Sequence, residues 1–150
     1  MKIQELMVGD LVYSPYHCEV VRITGLMEDS GLCHVESIKG TEFYLHEVNV
    51  SELEPIPLAG DVLQKIGLRQ LMIKGEKGEQ EYFVLPMVGY YLLTPEQRLH
   101  QSSCVFSISN NPCGWLFINT DEGRIEATCK HVHQLQHLFK HIGWDSDFKL

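Results

Sequence analysis

Four of the eight histidines in the chain, His131, His133, His137 and His141, stand within KHVHQLQHLFKHIG, residues 130–143. The chemistry open to such a cluster is metal chelation. Residues four apart on a helix share a face, so His133 and His137 can aim both imidazoles at one point and hold zinc or nickel. A structural or catalytic site usually adds a third ligand. His141 lies two turns from His133 and cannot complete the sphere, so a carboxylate or a Cys would have to arrive from elsewhere. The residue after His133 is Gln134, so the general base of an HExxH motif is missing. The competing reading is an amphipathic helix. On a helical wheel Val132, Leu135, Leu138, Phe139 and Ile142 share one face, and His133, His137 and His141 form a stripe opposite. That reading, a solvated histidine stripe, is the expectation here, and a metal-dependent protein or enzyme using His133 and His137 is the alternative. His131 falls near the apolar side at a strand–helix junction, where it suits a capping group.

Other constellations carry less. Cys104 follows His100, Ser102 and Ser103, which allows a Cys–His nucleophilic pair, but it opens an apolar strand, where Cys is usually a small buried hydrophobe. Cys113, between Pro112 and Gly114, reads as a reduced loop thiol. Asp121 and Glu122 precede Gly123 and read as a hairpin turn. Gly75 and Gly78 lack the GK[ST] ending of a phosphate loop. No catalytic residue and no cofactor is expected. Tyr13, Tyr16 and His17 surround Pro15 in an aromatic loop after the first strand, and such a loop can line a peptide-binding groove.

The elements that must position these residues follow from local pattern. Over residues 1–57 short apolar runs alternate with turn signals: Leu11–Tyr13 after Val8-Gly9-Asp10, Glu19–Ile23, Leu32–Val35 and Glu42–Leu45. Val21 and Ile23 alternate with Arg22 and Thr24, which predicts one buried and one wet face. Residues 51–57, with Pro55 and Pro57, read as a last extended segment. About five short strands after a Gly-Asp opening resemble a small Src-homology-3-like antiparallel barrel.

Residues 58–150 read as a second, α+β unit. A short helix is predicted over about 59–67, with Gly67 as its left-handed cap and Leu68 packing back on the last turn. Strands follow at Leu71–Ile73 and Tyr82–Leu85 around a charged loop, then at Tyr90–Leu93, Cys104–Ile108, Trp115–Ile118 and Arg124–Cys129. A C-terminal helix over about 131–142 closes the chain and is expected to pack Leu135 and Phe139 on this second sheet. His133 and Gln134, just inside it, are expected to satisfy backbone groups at the junction. The fold class is α+β.

Bulk properties narrow the function. The 150 residues are 44% hydrophobic, enough for one globular unit or two small ones. The net charge is −8 and the twelve cations are scattered, so nucleic acid is not an expected partner. Five cysteines without CxxC spacing argue against a disulfide framework or a zinc ribbon. No apolar run approaches a membrane span, and MKIQELMVGDLVY lacks a secretory h-region, so a cytoplasmic protein with reduced thiols is expected.

Two motifs add a resemblance. Leu53-Glu54-Pro55-Ile56-Pro57-Leu58 followed by a helix ending at Gly67, and the terminal Val132-His133-Gln134-Leu135-Gln136, resemble a family of small, uncharacterised bacterial and prophage-type hypothetical proteins. These carry an L-x-P-I-P-L segment and close on V-H-Q-L-Q-N-L. Where that pattern has Asn this chain has His137, and Gly60 replaces an acidic residue, so the histidine stripe is particular to this chain. The resemblance implies no activity, substrate or cofactor. The reading that remains is a non-enzymatic protein-binding or adaptor protein encoded by a mobile element or prophage. Its binding residues would be Tyr13, Tyr16, His17, His133 and Gln134, and its partner another protein.

Overall fold

The computed structural model describes residues 1–40, 46–75, 78–84, 104–107, 115–119 and 125–150. The expected strands at Glu42–Leu45 and Tyr90–Leu93, the loop holding Cys113, the turn at Asp121–Gly123 and His100 lie outside the described residues. The fold is α+β, as expected. It divides into two units, residues 1–57 with 131–148, and residues 58–130 with 149–150.

The first unit carries a four-stranded antiparallel sheet in the order β1 (Leu11–Ser14), β2 (Glu19–Met27), β3 (Leu32–Ser37), β4 (His46–Asn49). The register pairs Val12 with Val21 and Ile23 with Val35. Period-2 alternation therefore puts these four on one face, where they form a core with Ile3, Leu6, Cys33, Val50 and Leu53. The register shifts between Ile23 and Gly25, a bulge that lets the long β2 bend. A 3-10 turn, Val50–Glu52, follows β4, and Leu53–Glu54 returns to β1: the Tyr13 and Glu54 backbones exchange two hydrogen bonds of 2.9 Å. β1 and β4 are the edges of the sheet and do not pair with each other. A closed barrel is therefore not what this sheet shows.

The C-terminal helix α2 (Val132–His141) belongs to this first unit, not to the second as its sequence position suggests. Its N-terminus is fastened by Val132 N–H to the Ile56 carbonyl at 3.0 Å and by the Pro57–His131 bridge. Its Gln136 and His137 side chains reach the start of β1, described below. Val132, Leu135 and Phe139 are buried as the apolar periodicity predicts, but Leu138 is only half-buried, and His133 and Gln136 are buried instead. The buried arc is thus rotated toward the β1 side, because the segment leading into β1 packs along that flank. No helix among the described residues is long and apolar enough to cross a membrane.

The second unit is a meander of five antiparallel strands, each beside its sequence neighbour: β5 (Arg69–Gly75), β6 (Gly78–Val84), β7 (Cys104–Ser107), β8 (Trp115–Asn119) and β9 (Ile125–Cys129). The charged loop expected over 74–80 is shorter than its composition implies. Lys74 pairs with Glu79 and Gly75 with Gly78, so the hairpin is a tight one, and Gly78 has a positive φ of 109°. The helix α1 (Gly60–Lys65) precedes the sheet. Gly60 has a steric reason: a Cβ there would stand 3.0 Å from Cζ of Phe83, a ring that is fully buried and meets Trp115 edge to face at 5.4 Å. The Trp115 indole N–H donates to the Leu58 carbonyl at 2.6 Å and ties the start of this unit to β8.

Both of the described α-helices end in the same way. After α1, Gly67 N–H reaches the Gln64 carbonyl and Leu68 N–H the Leu63 carbonyl, each at 3.0 Å. After α2, Gly143 N–H reaches Lys140 at 3.3 Å and Trp144 N–H reaches Phe139 at 2.8 Å, with the Phe139 and Trp144 rings in edge contact at 5.2 Å. These are Schellman closures, and each needs a residue at positive φ. Gly143 has φ 77°, and a Cβ there meets nothing within 4 Å. The cost of Gly143→Ala is therefore backbone strain alone. It is expected to lower stability by about 1 kcal/mol, measured as a shift of the urea midpoint at unchanged m-value. Two-state loss well beyond that would mean that the closure supports more than the last turn.

Candidate functional site

The best-defined polar constellation is built where α2 meets the start of β1. Asp10 closes the turn at Val8-Gly9-Asp10 and is only 2% exposed. One oxygen of its carboxylate accepts from Met7 N–H at 2.8 Å, and both oxygens lie within 2.9 Å of His137 Nε2. A buried carboxylate is costly unless bonded, and here it is bonded from two sides. Gln136, one residue earlier on the helix, points at the edge of β1. Its Oε1 accepts from Leu11 N–H at 2.8 Å, and its Nε2 donates to the carbonyls of Gly9 and Ser146, each at 3.1 Å. The carboxamide fills the place that one peptide group of a neighbouring strand would take.

His133 lies one turn before His137. It is 3% exposed, and its Nδ1 has no hydrogen-bond partner among the described residues. Its ring is parallel to that of His131, with centroids 5.6 Å apart, and 5.9 Å from that of His137. Burial lowers the tendency of His133 to take a proton, and His131 and His137 act in the same direction, against Asp10 and Glu5. Gln134 accepts from the His131 backbone N–H at 3.2 Å, the junction role expected for it.

The expectation of a wholly solvated stripe fails at two of its three positions. His141 is exposed, His137 is half-buried on Asp10, and His133 is inside. The metal pair gains nothing in exchange. His137 Nε2 faces a carboxylate, and among the described residues no group of three or more His, Cys, Asp and Glu side chains is placed to hold an ion. A base held by a carboxylate is half of a nucleophilic constellation, yet no nucleophile is hydrogen-bonded to His137 among the described residues. Beside it opens a cleft of about 80 Å³, lined by Met7, Val8, Arg22, Lys140 and Asp147 with the residues above. It is too small for an organic ligand of ordinary size. Arg22 is engaged by Asp147 at 2.5 Å.

The aromatic loop is a separate site. It joins β1 to β2 and is tightly held: Ser14 Oγ lies 2.9 Å from His17 Nδ1, and both the N–H and the thiol of Cys18 point to the Pro15 carbonyl at 3.3 Å. Cys18 takes a positive φ of 53°. His17 rests edge-on against Tyr16 and His46, and burial, then His46, lowers its proton affinity. Tyr13 is half-buried in β1, while Tyr16 is 81% exposed. The turn therefore brings Tyr16 and His17 together, while Tyr13 stands in β1. His133 and Gln134 lie on α2.

Sequence reasoning missed Asp10 and Gln136. Asp10 entered only as part of the Val8-Gly9-Asp10 turn signal, and Gln136 only within the Val132–Gln136 motif. Comparison with protein-family models, with curated proteins and with solved structures finds no match to this chain.

Two outcomes follow. Gln136→Leu keeps the volume but strands Leu11 N–H and Gly9 C=O. It is expected to cost about 2–4 kcal/mol in chemical denaturation, whereas His141→Ala should change nothing measurable. The thiols differ as well. Burial raises Cys33 and Cys129 to about 11, so both stay protonated at neutral pH, and Cys18 is exposed. Brief alkylation of the native protein followed by peptide mapping should label Cys18 and spare Cys33 and Cys129 until denaturant is added.

Proposed function

We propose that this is a non-enzymatic protein-binding or adaptor protein and that it binds through the Tyr16 loop of its first unit. The observation that carries this reading is Tyr16 itself. A large aromatic that is 81% exposed on a turn fixed by Ser14, Pro15 and Cys18 loses little conformational entropy on binding. The rest of the unit supports a small-barrel module. Four strands, a 3-10 turn and a return to β1 at Glu54 give the strand count of a Src-homology-3-like barrel, with the loop after the first strand left to recognise a partner. The β1 edge is a poorer candidate, since Gln136 and Glu54 occupy it from Gly9 to Tyr13.

The motif resemblance supports an origin in a prophage or other mobile element, and the −8 charge supports a partner other than nucleic acid. The cytoplasm is the compartment that fits free thiols. Catalysis and metal dependence find less support, because His137 is committed to Asp10 and His133 is enclosed.

The test is a tagged pull-down from the native cells with nuclease treatment, read by mass spectrometry, using the wild-type chain and Tyr16→Ala. A stoichiometric partner that survives nuclease is expected. Tyr16→Ala should weaken its capture about tenfold or more while leaving the denaturation midpoint in place. Full capture by Tyr16→Ala would remove the loop from the interface, and no partner at all would end the adaptor reading.

A further inference from the structure

Among the described histidines His133 is the one that is buried. It is 3% exposed, and its Nδ1 has no partner among the described residues. The groups that face it are few. On its own helix stand His131, parallel to it at 5.6 Å, and His137, at 5.9 Å. From the N-terminal segment come Asp10 and Glu5. Asp10 is the natural counter-charge, but its oxygens already serve His137 and Met7 N–H. A proton on His133 would therefore sit in an enclosed place, beside the rings of His131 and His137 and with the nearest carboxylate already engaged.

We propose that His133 is an acid-sensitive latch: as the neutral imidazole it lets α2 close on the edge of β1, and when protonated it drives the helix off that edge. The helix is suited to such a role. It meets the edge through Gln136 and His137, three and four residues from His133, so displacement of one turn of helix breaks these bonds together. Opening would free Leu11 N–H at the start of β1 and Gly9 C=O in the turn before it. The device is independent of the Tyr16 loop.

The sign follows from linkage. Folding depresses the proton affinity of His133 below its ordinary value of 6.5, with burial as the largest cause. The open state then binds more protons than the closed one. The closed state is at full strength above pH 6.5. It weakens as pH falls from there toward the folded pKa, and is constant below it. For one proton the ratio of open to closed rises by at most tenfold per pH unit.

The experiment is amide hydrogen exchange on the intact chain between pH 7.5 and 5, expressed as protection factors so that the intrinsic pH dependence of exchange cancels. Leu11 N–H is the reporter, since Gln136 is its partner, together with the amides of Leu135 and Phe139. In the wild type, protection should fall up to tenfold per unit below pH 6.5 at all three, and in His133→Leu it should be flat. Equal pH dependence in both chains, or none in the wild type, overturns the proposal. If His133→Leu does not fold, NMR titration of the imidazoles in the wild type decides it alone. His133 is expected to titrate below 6.5, concurrently with the loss of Leu11 protection, and titration at or above 6.5 overturns the latch.

Discussion

The edge of β1 is the constraint on which the first unit depends. An edge strand presents a row of N–H and C=O groups that must be paired, covered or left wet. Here two remote pieces of chain divide the row between them. Glu54 exchanges backbone bonds with Tyr13, and Gln136 takes Gly9 C=O and Leu11 N–H with one carboxamide. The second arrangement is the more demanding. A side chain more than a hundred positions away in sequence must arrive within hydrogen-bond reach of two specific backbone atoms. That requires α2 to be set in rotation and height. The Asp10–His137 contact, the Schellman turn at Gly143 and the Phe139, Trp144 and Phe148 rings packed edge to face all act on that setting.

What was legible in the sequence was local. The second-unit strands at Cys104, Trp115 and Cys129, the helix closed by Gly67 and the one closed by Gly143 all appear within a residue or two of where apolar periodicity and turn chemistry put them. Such signals involve neighbours a few positions apart, and nothing distant has to be known. The fourth strand shows the limit. Phe43, Tyr44 and Leu45 carry the apolar signal, whereas His46–Asn49 pairs with β3, and its mixed polar residues give no alternation to read. An edge strand with one wet side needs little apolar patterning.

The candidate site was legible by composition but not by arrangement. The histidines stood out, and their spacing put His133, His137 and His141 on one helical stripe. Their environments then diverged, because burial is decided by what packs against the helix. His133 faces the segment that carries Asp10, His137 reaches its carboxylate, and His141 extends past it into solvent. Gln136 and Asp10 had no local signal for the contacts they make. A Gln on a helix and an Asp after a Gly are ordinary surface residues until their partners are known. The same gap explains why α2 was assigned to the wrong unit. Sequence adjacency to β9 says where the helix starts, while the bonds of Val132, Gln136 and His137 say where it packs.

That assignment changes how the chain as a whole is understood. The second unit is an insertion into the first, entered after Pro57 and left before His131. Two pairings make such an insertion inexpensive. Within the first unit, Val132 N–H bonds to the Ile56 carbonyl and His131 bridges to Pro57, so the ends of the gap already lie side by side. Within the second, Leu58 N–H bonds to the Lys130 carbonyl at 2.7 Å, so its own two ends meet as well. A folded segment whose ends are adjacent replaces a short loop, and the entropy of closing a long flexible one is not paid by the first unit. The first unit therefore builds its β1 edge from segments on both sides of the insertion, Glu54 before it and Gln136 after it.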